Sequence, residues 1–86
     1  RIPFGSLVEL GIIKPGTTIF DNKKKISAKI MADGSIKHAQ TEGSIHKVAA
    51  TILGAESCNG WTYWHYNLNG SVVPIDHLRQ RLINNN

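Results

Sequence analysis

Ser44, His46 and Lys47 fall within four positions of one another, in Gly43-Ser44-Ile45-His46-Lys47 at the front of a periodic apolar run. A serine there caps a helix by accepting from an N–H two or three residues on, and a cap alone accounts for it. Lys47 does not fit that account. It takes the third helical position, where a capping box carries Glu or Gln, and a cation in the first turn opposes the helix dipole at a cost of ~0.3–1 kcal/mol. A bound anion removes the conflict. Free backbone N–H groups, the Ser44 hydroxyl, His46 and Lys47 then read together as a phosphate site. A hydrolytic pairing of Ser44 with His46 lacks an acidic orienter and an evident oxyanion site.

The second constellation is Cys58-Asn59-Gly60-Trp61-Thr62-Tyr63-Trp64-His65-Tyr66, which holds four of the six aromatic residues of the chain. Read as a strand over 61–66, it puts Trp61, Tyr63 and His65 on one side and Thr62, Trp64 and Tyr66 on the other. One side must pack on the core. Rings left on the other stack on unpaired bases, at ~1–3 kcal/mol each, or enter a protein interface. Trp64 and His65 become candidates on this ground. Asn59 is either a turn residue ahead of Gly60 or an amide that meets an adenine edge or a phosphate. Arg79 and Arg81 stand two apart on a predicted helix, hence on different faces. Arg79 lies nearer the apolar stripe, so it is the one held by the fold and aimed at something. Cys58 is alone, which excludes an internal disulfide and fits a reducing cytosol. His38, His46, His65 and His77 lack the short paired spacing of a zinc site, so no metal is expected.

These residues need elements to position them. Ser6-Leu7-Val8-Glu9 has the form of a capping box and Gly11 of a stop, which predicts a short helix over 6–10. Pro15-Gly16 signals a type II turn into a strand over 17–21. Ile26, Ala28 and Ile30 alternate with polar residues, and Asp33-Gly34 signals a two-residue hairpin returning through 35–39. The clearest period is over 44–53, where Ile45, Val48, Ala49, Ile52 and Leu53 share one helical face and Gly54 ends it. Asn69-Gly70 turns the chain into 71–73, and Ile75, Leu78 and Leu82 mark a last helix started by Pro74 and Asp76. The expected fold is α+β: small antiparallel sheets or hairpins packed with short helices in a single domain over 1–83, with 84–86 as a disordered tail.

Eighty-six residues suit one small domain, and a 41% hydrophobic content argues against disorder along the whole chain. No apolar run reaches the ~20 residues of a membrane span, so no membrane partner is expected. Starting at Arg1-Ile2-Pro3 without a methionine, the sequence reads as a piece of a longer polypeptide. Ten Lys and Arg against six Asp and Glu leave +4. All seven lysines lie between Lys14 and Lys47 with Asp21, Asp33 and Glu42, so that segment carries 7 − 3 = +4 and the rest sums to zero. A surplus gathered in one stretch favours a polyanionic partner, although for the Lys23-Lys24-Lys25 triplet a solvated turn is slightly favoured over specific contact.

Gly43-Ser44-Ile45-His46, Cys58-Asn59-Gly60-Trp61-Thr62-Tyr63-Trp64-His65 and Pro74-Ile75-Asp76-His77-Leu78-Arg79 follow Leu7-Val8-Glu9 and Lys14-Pro15-Gly16. In order and spacing these stretches resemble the RAMA domain, which is associated with restriction enzymes and adenine methylases. The likeness covers roughly residues 4–83. It is most pronounced to the C-terminal domain of cell-cycle-regulated bacterial adenine-N6 DNA methyltransferases that modify GANTC sites. The resemblance implies a module that follows a catalytic domain and is needed for DNA binding, with Ser44, Asn59, Trp61 and Arg79 contacting DNA or forming the site. His46, Lys47, Trp64 and His65 join them on the physical grounds above. These residues contain no Asp-Pro-Pro-Tyr motif and no glycine-rich methyl-donor loop. On this reading the chain alone is not an enzyme and holds no cofactor, and S-adenosylmethionine belongs to the catalytic domain of the parent enzyme. Expected partners are DNA, that catalytic domain and a second copy, in the bacterial cytoplasm at the nucleoid. The alternative is a protein-interaction module that docks on the catalytic domain or mediates dimerisation.

Overall fold

The computed structural model describes residues 2–84. Its elements run α1 (Phe4–Glu9), β1 (Thr18–Phe20), β2 (Ser27–Ile30), β3 (Ile36–His38), β4 (Thr41–Gly43), α2 (Ile45–Leu53), α3 (Gly60–Tyr63), β5 (His65–Leu68), β6 (Ser71–Pro74) and α4 (Asp76–Asn84). The strands form one antiparallel sheet in the order β4-β3-β2-β1-β5-β6. The architecture is the expected α+β one. The hairpins are not separate small sheets, however, because Phe20 of β1 pairs with His65 of β5 and joins the two halves.

Turn chemistry sets most of the strand ends. Thr17 N–H donates to Lys14 O at 3.2 Å with Gly16 at φ +88°, the type II turn that Pro15-Gly16 signals. Asn69 and Gly70 both take positive φ, as a two-residue type I′ hairpin requires. The Asp33-Gly34 turn differs from its expected form. Gly34 N–H donates to Met31 O and Met31 N–H to Ser35 O, so the loop has three residues, Ala32, Asp33 and Gly34. Gly34 alone of these takes positive φ, at +88°. Asp33 keeps a negative φ because its carboxylate accepts from both the N–H and the hydroxyl of Ser35.

The structure departs from the sequence reading at further places. Helix α1 starts at Phe4 with Pro3 as its N-cap, so Ser6 lies inside it and caps nothing. An earlier start lets both Phe4 and Leu7 enter the core. Strand β4, with Glu42 facing outward between Thr41 and Gly43, lacks the apolar alternation that would announce it and exists because β3 offers it an edge. Residues 61–63 do not form a strand. Asn59 accepts from Trp61 N–H through Oδ1 at 3.0 Å and caps the single helical turn of α3, so the strand begins only at His65. At the C-terminus α4 runs to Asn84, part of the expected tail, and residues 85 and 86 lie outside those described.

Ile19, Ala28, Ile30 and Ile36 on one sheet face share a core with Leu7, Ile45, Val48, Ala49, Trp64 and Ile75. The opposite face of β1–β4 carries Thr18, Ser27, Lys29, Lys37 and Glu42, all exposed. Helix α2 has the expected limits, with Ser44 as N-cap and Gly54 at φ +68° as C-cap. Its buried face is turned slightly from the expected one: Ala50 is buried and Leu53 is 56% exposed.

Candidate nucleic-acid interface

The residues Ser44, His46, Asn59, Trp61 and Arg79 come from three separate stretches of sequence, and all five line one open cleft of about 980 Å³. Pro3, Phe4 and Gly5 of the first helix region and Gly34 of the β2–β3 turn close it from the other side. Helix α1 reaches the turn because residue 34 is glycine at the crossing: a Cβ on Gly34 would sit 2.8 Å from Gly5 Cα.

The N-terminus of α2 forms one wall. Ser44 Oγ accepts from Lys47 N–H at 3.0 Å, which leaves its own hydroxyl proton to donate. His46 Nδ1 accepts from Gly60 N–H at 2.9 Å, so the neutral ring carries its proton on Nε2. This bond ties α2 to α3. The two approach so closely that a Cβ on Gly60 would lie 2.6 Å from the carbonyl of Ile45. Asn59 uses Oδ1 in capping α3, which leaves its NH₂ as a donor.

Trp61 supplies the apolar floor. It is only 5% exposed as a whole and meets Phe4 edge-to-face at 5.9 Å between ring centroids. Arg79 rests against the same ring, with its guanidinium carbon 4.5 Å from the centroid. Asp76, one turn earlier on α4, holds Arg79 Nη2 at 2.6 Å. The expectation that the fold holds Arg79 is met through Trp61 and Asp76 together. The polar side chains Ser44, His46, Asn59 and Arg79 thus share one property: each keeps at least one donor that its own structural hydrogen bond does not use. Such a wall matches an anionic oxygen-rich ligand.

Three of the singled-out residues lie apart from the cleft lining. Lys47 is exposed, and its aliphatic stem lies over Gly43, where an added Cβ would be 3.0 Å from Lys47 Cδ. Trp64 is fully buried and donates its indole N–H to Ile45 O at 2.9 Å. His65 is buried on β5, its Nδ1 3.0 Å from Tyr63 O. The sequence reading missed Phe4 and Gly34. A lone Phe and a turn glycine carry no local sign that they meet across the fold. Among the described residues no group of three or more His, Cys, Asp or Glu could hold a metal ion, and no helix is long and apolar enough to cross a membrane.

The family model described as Restriction Enzyme Adenine Methylase Associated, RAMA, matches residues 1–86. Among curated proteins, the Type II methyltransferase M.HinfI of Haemophilus influenzae is 30% identical over 84 residues. That alignment takes in 98% of this chain and 23% of M.HinfI, so the chain spans about a quarter of the relative it matches.

Proposed function

Because the chain belongs to the RAMA family, we propose that it is the DNA-holding module of an adenine-N6 DNA methyltransferase and that its cleft takes the sugar-phosphate backbone. The observation that carries this reading is the set of spare donors on one cleft: Ser44 O–H, His46 Nε2–H, Asn59 NH₂ and the Arg79 fork all belong to residues that line it. Phosphate oxygens accept and do not donate, so they suit these spare donors. Trp61 and Phe4, both buried, back the cleft from beneath, and Trp61 holds the Arg79 guanidinium at its wall. Lys47, beside the cleft mouth on α2, adds charge rather than a fixed contact. Trp64 and His65 support the site from within and are kept out of the contact set.

Methyl transfer belongs outside this module in the same reading. The catalytic domain of the same polypeptide binds S-adenosylmethionine, and the module is not an enzyme by itself. GANTC is the recognition site we propose, in a cell-cycle-linked methyltransferase of the bacterial cytoplasm and nucleoid that pairs with a second copy. The test is equilibrium binding of the intact polypeptide to duplex, bubble and single-stranded DNA across salt. Affinity that falls by orders of magnitude between about 50 and 200 mM salt, and that drops in Arg79→Ala, supports the reading. Affinity indifferent to salt and to Arg79→Ala overturns it.

A second reading, docking on the catalytic domain, is favoured by one feature. A smaller groove of about 290 Å³ is lined by Ile12, Tyr66, Leu68, Leu78, Arg81 and Leu82. Ile12 itself is 38% exposed, a large apolar side chain for an open surface.

A further inference from the structure

Lys29 on β2 and Lys37 on β3 are direct cross-strand partners, side by side on the exposed sheet face opposite the helices. Residues so paired have Cβ atoms about 5 Å apart, and like charges at that spacing destabilise a sheet. Thr18 of β1 extends the same row on one side and Glu42 of β4 on the other. Glu42 stands opposite Lys37 but makes no ion pair with it within 4 Å; among the described residues the pair found at that distance is Arg79–Asp76.

The same holds for every acid of the basic segment. Asp21 spends its carboxylate on the N–H groups of Lys25 and Ile26, and Asp33 spends its own on Ser35. The acids fold the turns and, among the described residues, leave the lysines without ion pairs. We infer that the open face of β1–β3 is a second nucleic-acid surface, on which Lys29 and Lys37 together hold backbone phosphate. A phosphate between the two ammonium groups removes the repulsion that the sheet otherwise carries. The path from the cleft is short: Lys37 is three residues from Gly34, which lines the cleft, a span of roughly 10 Å along the strand. One strand of nucleic acid therefore passes from cleft to sheet face around the β2–β3 turn.

This inference rests on the DNA-holding reading of the cleft, and its test separates the two. The double variant Lys29→Gln/Lys37→Gln is compared with Lys29→Arg/Lys37→Arg and with Ser44→Asp in the intact polypeptide, by DNA binding against salt and by thermal unfolding. Losing the one phosphate that the pair holds makes the slope of log affinity against log salt shallower by about 0.9. We expect that change in the Gln variant on every DNA sequence alike, with an unfolding midpoint equal to or above the wild type because the like-charge pair is gone. The Arg variant keeps the wild-type slope. A wild-type slope in the Gln variant, or a shallower one in the Arg variant too, overturns the second surface and leaves the cleft reading standing. A wild type that binds no DNA overturns both.

Discussion

The guanidinium carbon of Arg79 stands 4.5 Å from the centre of the Trp61 ring, eighteen residues away in sequence. The indole that anchors α3 in the core therefore also fixes a cation at the cleft wall. Asp76 restrains the same guanidinium from the far side at 2.6 Å, and Phe4 braces the ring edge-on. Arg79 is presented with little freedom left to lose on binding, which favours affinity over a free surface arginine. It is 26% exposed, so the contact with ligand remains open.

Arg79→Ala should separate holding DNA from holding the fold. The cation–π contact and the partly exposed ion pair each stabilise by ~1 kcal/mol or less, so the thermal midpoint changes little. Loss of a charge-assisted phosphate contact weakens binding roughly ten- to hundred-fold. Arg79→Lys keeps the charge without the planar fork and recovers part of the affinity. Binding curves and thermal melts on the same preparations check all three values.

Ser44 both caps α2 and offers its proton to the cleft, and two substitutions pull these roles apart. Ser44→Ala removes both, lowering stability by ~1 kcal/mol. Ser44→Asp preserves the cap and suits the helix dipole, so its stability stays near wild type while its carboxylate repels phosphate. DNA affinity falls in both variants and further in the aspartate. A Ser44→Asp protein that binds DNA as well as wild type sinks the phosphate assignment.

Trp64 gives the opposite pattern. Trp64→Phe removes the indole N–H bond to Ile45 O and leaves a void where the larger ring was fully buried, at ~1–3 kcal/mol. Denaturant unfolding should show that loss, while DNA affinity measured well below the melting range is unchanged. Reduced affinity in a variant of wild-type stability would return Trp64 to the contact set.

Asp21 predicts a pH dependence with a definite sign. The N–H of Ile26 above all holds its carboxyl below the ordinary value of 3.8; burial opposes it, and the N–H of Lys25 adds to the lowering. A depressed folded value means that the ionised carboxylate stabilises the fold above 3.8. That contribution fades as pH falls through the lowered folded value. Asp21→Asn should therefore melt below wild type at neutral pH, and the gap should close on acidification. Thermal midpoints across the acid range test this, and a gap that widens contradicts it.

Some signals that act within four residues were read correctly, although the Ser6–Glu9 capping box and the two-residue form of the Asp33-Gly34 turn were not. The Ser44 cap and Gly54 stop bound α2, and Asn69-Gly70 makes a type I′ turn, because the groups that satisfy these geometries are neighbours in the chain. Asn59-Gly60 shows the limit. The same pair that reads as a hairpin turn became an N-cap, since Gly60 alone lets α3 lie against the Ile45 carbonyl. Strand β4 was invisible for a related reason: a three-residue edge strand is made by its partner rather than by its own residues.

The amino-acid sequence by itself determined the α+β class, the Pro15-Gly16 and Asn69-Gly70 turns, the cap at Ser44 and the gathering of the basic surplus in 14–47. The tertiary structure alone decided that Ser44, His46, Asn59, Trp61 and Arg79 share a cleft, while Trp64 lies wholly inside the core and His65 is buried on β5. Capping and turn formation are settled by hydrogen bonds between near neighbours. Which ring is buried and which donor faces open space depends on surfaces that arrive from distant parts of the chain, and only packing brings those together.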